Sequence, residues 1–210
     1  MIRKNFDLRA LARDERGVTL VEFALVSIPL LIILFAGFGV AHRLYVDSVL
    51  QGALTDAARR ATVEDPTLTG TAGLTIEERV AEMVTDQVSP IAPGATITVT
   101  QENFYEFSGI GNPEKIVTDN DGDGVYDDTD GDCFEDLNEN GSYDTDTGRT
   151  GRGGANDVAF YQATLTMDEL FPTSLFIGGS DQLTITADVA IRNQPWGVQA
   201  TPPVICGVVP

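Results

Sequence analysis

Asp119, Asp121, Asp123, Asp127 and Asp130 occupy positions 1, 3, 5, 9 and 12 of a stretch whose sixth residue is Gly124. Calcium takes about six to eight hard oxygen ligands at roughly 2.3–2.6 Å. Side chains at positions 1, 3 and 5 of a tight loop converge on one ion. A glycine at position 6 makes the sharp turn, and position 7, here Val125, then offers its carbonyl. Position 9 adds a ligand directly or through water, and position 12 closes the shell. Seventeen residues on, the pattern returns: Asp136, Asn138, Asn140, Gly141, Ser142 by its carbonyl, and Asp144, with Thr147 at position 12. Both copies read D-x-D/N-x-D/N-G-x-Y-D, so glycine, tyrosine and aspartate recur at positions 6, 8 and 9.

Neither stretch carries the glutamate that closes an EF-hand. With Asp130 at position 12, the first resembles the loops of dockerin modules and thrombospondin type 3 repeats. That resemblance implies calcium loops without flanking EF-hand helices. The second stretch has two neutral amides and a threonine where an anion is expected. It is the weaker candidate, with Asp146 as a substitute ligand. Magnesium suits such loops less, since it prefers octahedral geometry with retained waters. The competing reading is a solvated acidic loop that holds no ion. If calcium binds, its role is structural: Asp119 to Asp146 holds twelve acidic residues and no Lys or Arg, and an ion offsets their repulsion.

Other elements must carry this insert. Val46, Val49, Leu50, Ala53, Leu54, Ala57 and Ala61 recur at three- and four-residue steps and predict a helix with one apolar face, ended by Asp65-Pro66. Thr75 with Glu78 predicts a capping box for a second helix with an apolar stripe of Ile76, Val80, Met83, Val84 and Val88, stopped by Pro90. Three segments alternate with a period of two: 95–100, 159–167 and 183–191. They predict a three-stranded antiparallel sheet with one face on the helices, an α+β fold. Gly148 to Gly154 lacks the Gly-Lys-Ser/Thr close of a phosphate loop and reads as a flexible return.

The chain's most apolar stretch comes earlier. Phe23 to Val40 is 18 residues without a charge, and back to Val18 the only charge is Glu22. At about 1.5 Å per residue this covers the ~30 Å hydrocarbon core. Arg3, Lys4, Arg9, Arg13 and Arg16 precede it, which keeps the N-terminus cytoplasmic and sends the rest of the chain outward. The run is longer than a signal peptide's apolar core and passes unbroken into the next helical pattern. An ionised Glu22 there costs about 2.5–3.5 kcal/mol on insertion scales, so it either has a partner or is an incidental feature of an ordinary signal-anchor.

Arg16-Gly17 followed by Val18-Thr19-Leu20-Val21-Glu22-Phe23 resembles the processing site of type IV pilins and pseudopilins. Glu22-Phe23, Ala24-Leu25-Val26 and Pro29-Leu30-Leu31 are similar to the TadE/TadG branch, the minor pseudopilins of tight-adherence (Flp-type) pili. The Ala- and Arg-containing helix after the anchor and the closing Arg192-Asn193-Gln194-Pro195 resemble TadE-like proteins too. The resemblance implies a pilin-like fold and a prepilin-type peptidase that cuts after Gly17. It also implies that Glu22 pairs with the N-terminal amine of a neighbouring pilin, in a pilus or related secretion apparatus. The alternative is an unprocessed, signal-anchored calcium-binding surface or adhesion protein.

The resulting organisation is a basic leader (1–17), a transmembrane helix (18–40) and a helical and first-strand part (41–109). An acidic calcium insert (110–155), the remaining strands (156–196) and an irregular tail (197–210) follow. It is a single-pass protein of the cytoplasmic membrane with its C-terminal domain outside. A net charge of −19 repels phosphate backbones and argues against nucleic-acid binding. One histidine, His42, leaves no material for His-based triads or zinc sites, and no catalytic constellation can be assembled. Cys133 and Cys206 lie in the oxidising compartment, where they either pair or stay as two thiols.

Overall fold

The computed structural model describes residues 18–66, 68, 74–171, 178, 180–194 and 196–208. The leader, the centre of the Thr67 to Gly73 loop and Pro195 lie outside these residues. The described residues fall into two compact units. One comprises the described residues of Met1–Arg43 and Glu169–Asp181, the other those of Leu44–Asp168 and Gln182–Pro210.

Helix α1 spans Val18–Ala61 and runs through Pro29. It is the one helix among the described residues long and apolar enough to cross a membrane, and none of its most apolar window is buried. In the first unit the ring of Phe35 lies 5.0 Å from that of Phe171.

The second unit holds the core. From α1 it takes Val46, Leu50, Ala53, Leu54, Ala57, Ala58 and Ala61, all buried, with Val49 at their edge. Four alanines make much of that face small, while Leu50 and Leu54 contribute about 1.5–3 kcal/mol each by burial. Helix α2 (Ile76–Val88) starts as its sequence dictates. The Glu78 N–H donates to Thr75 Oγ1 at 3.2 Å, and the Thr75 N–H donates to Glu78 Oε2 at 2.7 Å. Val80, Met83, Val84 and Val88 are its buried stripe.

Four antiparallel strands form the main sheet: β1 (Thr96–Phe104), β4 (Arg149–Thr150), β5 (Val158–Asp168) and β6 (Gln182–Arg192), in the order β4-β1-β5-β6. Three are the predicted strands. β1 runs on to Phe104, because Gln101 and Asn103 are buried polar residues that break the apolar alternation and hide its continuation. Gln101 pairs across the ladder with Tyr161 and donates to its hydroxyl at 2.9 Å. Burial pushes the Tyr161 phenol well above its usual range, so the hydroxyl stays neutral and usable as an acceptor.

Two expectations are corrected. The 149–157 segment is pinned rather than flexible. Asn103 Nδ2 donates to the carbonyls of Arg149, Thr150 and Gly151, and Asn193 Nδ2 donates to those of Arg152 and Gly154. Asp157 accepts from the Gly154 N–H and from Arg149. Arg152 in turn donates to the carbonyls of Ala61, Val63 and Glu64 at 3.1–3.5 Å and covers the face of Trp196. It therefore satisfies carbonyls left open at the end of α1, where a cation is favoured. The tail is likewise not irregular throughout. Val204–Cys206 forms strand β7 in a second antiparallel sheet with β2 (Lys115–Thr118) and β3 (Cys133–Glu135), in the order β2-β3-β7. Cys133 and Cys206 face each other in that ladder and are joined by a disulfide.

Candidate metal centre

The two acidic loops leave strands, not helices. Residues 119–132 connect β2 to β3, and residues 136–148 connect β3 to β4. Their backbones are alike. Position 4 has positive φ in both (Gly122 79°, Glu139 60°), and so does position 6 (Gly124 79°, Gly141 86°). Glycine at position 6 is required by that conformation, whereas Glu139 adopts it against the preference of a side chain.

Their hydrogen bonds repeat as well. The carboxylate at position 1 accepts from the N–H at position 6: Gly124 to Asp119 at 3.0 Å, and Gly141 to Asp136 at 2.9 Å. Position 3 accepts from position 5, Asp123 to Asp121 and Asn140 to Asn138, each at 3.1 Å. Position 5 accepts from position 7, Val125 to Asp123 at 2.7 Å and Ser142 to Asn140 at 2.8 Å. The sequence repeat is thus a structural repeat.

The centres of the two loops differ. One oxygen each from Asp119, Asp121 and Asp123 lies within 4.8 Å of the others. Two ligands on opposite sides of an ion with ~2.4 Å bonds stand about 4.8 Å apart, so oxygens within that limit are close enough to share one ion. Carboxylates carry no donors with which to satisfy one another, and the N–H groups of Gly122, Gly124, Asp123 and Val125 are the donors that the loop offers them. Partial desolvation, with Asp132, Asp121 and Asp127 nearby, raises the pKa of Asp130, which places its carboxyl in the same negative field. Asp127 is turned elsewhere: its Oδ1 accepts from the N–H and hydroxyl of Thr129, which holds its pKa down.

In the second loop, Asn138 Nδ2 and Asn140 Nδ2 both donate to Asp144 Oδ2. Thr147 is fully buried and donates its hydroxyl to the Gly109 carbonyl, and Asp146 accepts from the Gly148 N–H. Amide donors thus close this loop on itself, and its twelfth position supplies no ligand.

Three residues escaped the sequence reading. Asp132, fully buried, accepts from the N–H groups of Asn120 and Asp127, positions 2 and 9 of the first loop, at 2.8 and 3.3 Å. Glu114, buried, accepts from those of Leu137 and Asp144, positions 2 and 9 of the second, at 2.8 and 3.1 Å. Each loop is therefore gripped at the same two positions by a carboxylate outside its ligand set. Burial outweighs these N–H groups at Glu114, and Asp136 adds its charge, so the Glu114 pKa is raised. The third is Phe134, buried on β3. Tyr126 and Tyr143, the position-8 residues, stack at 4.6 Å and both lie near-perpendicular to its ring, at 5.0 and 5.5 Å. Only the recurring tyrosine was visible as a signal. Asp132 is lost in the acidic run, and Glu114 is far from the loop it holds.

The tail closes the first loop from outside. The Gly207 N–H donates to the Asp132 carbonyl, and the Val208 N–H to that of Asp128. A Cβ on Gly207 would lie 2.8 Å from both the Cα and the carbonyl carbon of Asp128. Gly207→Ala should therefore displace the tail from the first loop at a cost of about 1–3 kcal/mol, read as a lowered urea midpoint. Gly122→Ala, whose Cβ would have open space, loses only what its positive φ demands.

Of the residues expected to serve processing and assembly, Val18, Glu22 and Phe23 lie on α1. Val18 is its first residue, Glu22 and Phe23 are exposed on its first turns, and Gly17 lies outside the described residues. No curated protein and no solved structure matches the chain. Residues 17–59, which take in Gly17, Val18, Glu22, Phe23 and most of α1, match the family model of TadE-like protein.

Proposed function

We propose that this chain is a minor pseudopilin, a structural or assembly component of a tight-adherence pilus or related secretion apparatus. The observation that carries it is the TadE-like match, which begins at Gly17 and includes Glu22 as the sole charge of the apolar stretch 18–40. On this reading a prepilin-type peptidase cuts after Gly17, and the new Val18 ammonium of one subunit meets Glu22 of a neighbour. That pairing compensates a carboxylate otherwise costly in the bilayer. The C-terminal domain lies outside the cytoplasmic membrane, where the Cys133–Cys206 disulfide is stable. No step of this role is enzymatic. The second part of the proposal is that the first acidic loop holds a structural calcium ion through Asp119, Asp121 and Asp123. Their converging hard oxygens support it.

Intact mass of the chain from membranes with and without the peptidase tests the assembly role. A mature chain beginning at Val18 is expected only when the peptidase is present. An intact leader in both preparations leaves the unprocessed surface-protein reading and overturns the pseudopilin one.

A further inference from the structure

The segment joining β5 to β6 plays no part in the metal loops or the assembly site. Its base is polar and closed by a hydrogen bond from the Glu169 N–H to the Asp181 carbonyl at 2.7 Å. Beyond Glu169 it turns apolar. Leu170 is 57% exposed, and Phe171 follows. This segment belongs to the same compact unit as the apolar part of α1. The contact is specific: Phe171 lies on Phe35, at 5.0 Å between ring centroids.

Phe35 fixes the depth. It sits five residues before Val40, the outer end of the uncharged run, or about 8 Å along the helix axis. Apolar groups that lie in a membrane interface reach about 5–10 Å into it, and aromatic rings prefer that zone. An exposed leucine beside an aromatic ring at this level, on a polar base, matches the boundary between headgroups and acyl chains. We infer that Leu170 and Phe171 form a second membrane contact, seated in the outer leaflet of the bilayer that α1 crosses. The inference rests on α1 being a membrane span. It adds a lipid-facing site that the pseudopilin role does not require.

The test uses the full chain in phosphatidylcholine nanodiscs, with and without dibrominated acyl chains. Phe171→Trp and, as a control on the exposed side of α1, Ile33→Trp are each compared with the unsubstituted chain, whose single Trp196 gives the background. Brominated lipid is expected to quench more than half of the emission added at position 171, and aqueous iodide to leave it unchanged. Iodide quenching at 171 with lipid quenching at 33 overturns the inference while leaving the span intact. Protection from both quenchers marks a position covered by protein, such as a second copy's helix, and overturns it too. Absence of lipid quenching at 33 removes the span itself. Leu170→Trp repeats the measurement should Phe171→Trp disturb the ring contact.

Discussion

Titrating calcium into the full chain is expected to give one tight ion per chain, and Asp119→Ala to weaken its binding strongly. The expectation follows from the difference between two otherwise parallel loops. In the first, Asp119, Asp121 and Asp123 present acceptors only, within 4.8 Å of one another. In the second, Asn138 and Asn140 already donate to Asp144, and Thr147 donates to Gly109. Removing the position-1 ligand should weaken binding by at least ~100-fold, since it deletes a charge and the anchor of the Gly124 N–H. Asp132→Ala, which touches no ion but orients the loop at Asn120 and Asp127, should cost about 10–100-fold. Asp136→Ala should leave the stoichiometry at one. Isothermal titration calorimetry reads all three. At calcium ~100-fold above Kd, chelation should remove about 2.7 kcal/mol of stability. Two ions per chain would mean that the second loop reopens to bind. No ion in the unsubstituted chain would dismiss calcium altogether.

The second large effect is expected at the disulfide. Cys133 and Cys206 are separated by 73 residues, so their link removes much of the denatured chain's freedom. Loop-closure arithmetic puts this near 4 kcal/mol, and measured native disulfides fall in the range of about 2–5 kcal/mol. The double variant Cys133→Ala/Cys206→Ala should lose that amount, and the loss should concentrate in the second sheet. Its strands are short: β7 has three residues and β2 four. Limited proteolysis under native conditions should cut the variant in the acidic insert and tail while leaving β1, β5 and β6 protected. Cleavage spread evenly over both sheets would show that the two unfold together. Unchanged stability would show that Phe134 and its tyrosine partners suffice.

What was legible in the sequence follows from which forces leave a periodic trace. Burial on one face does: the α1 stripe, the α2 stripe and the cores of β1, β5 and β6 could be read from spacing alone, and the Thr75–Glu78 box from two residues. The repeated loop grammar was equally plain, because positive φ at position 6 requires glycine. Polar organisation leaves no such trace. Asn103, Asn193 and Asp157 hold the 149–157 segment through side-chain bonds to backbone, and nothing in a run such as GRTGRGG announces them. β2, β3 and β7 are too short for alternation to register, and their pairing joins residues far apart in the chain. Asp132 and Glu114 look like any other acidic residues until their N–H partners are known.

The position of β7 has a consequence for the order of events during synthesis. β2 and β3 leave the ribosome early and form a hairpin too small to stand alone. Their third strand, Val204–Cys206, emerges well after them, with Cys206 73 residues behind Cys133, and the Gly207 and Val208 N–H groups that hold the first acidic loop come later still. Until then Cys133 has no partner, and the acidic run has neither a tail to brace it nor a closed sheet beneath it. The insert therefore matures only once Val208 is delivered, and a chain halted before Val204 carries a thiol and a ribbon of uncompensated carboxylates. Such a chain differs chemically from one that has reached Val208, in its thiol and in its unbraced carboxylates.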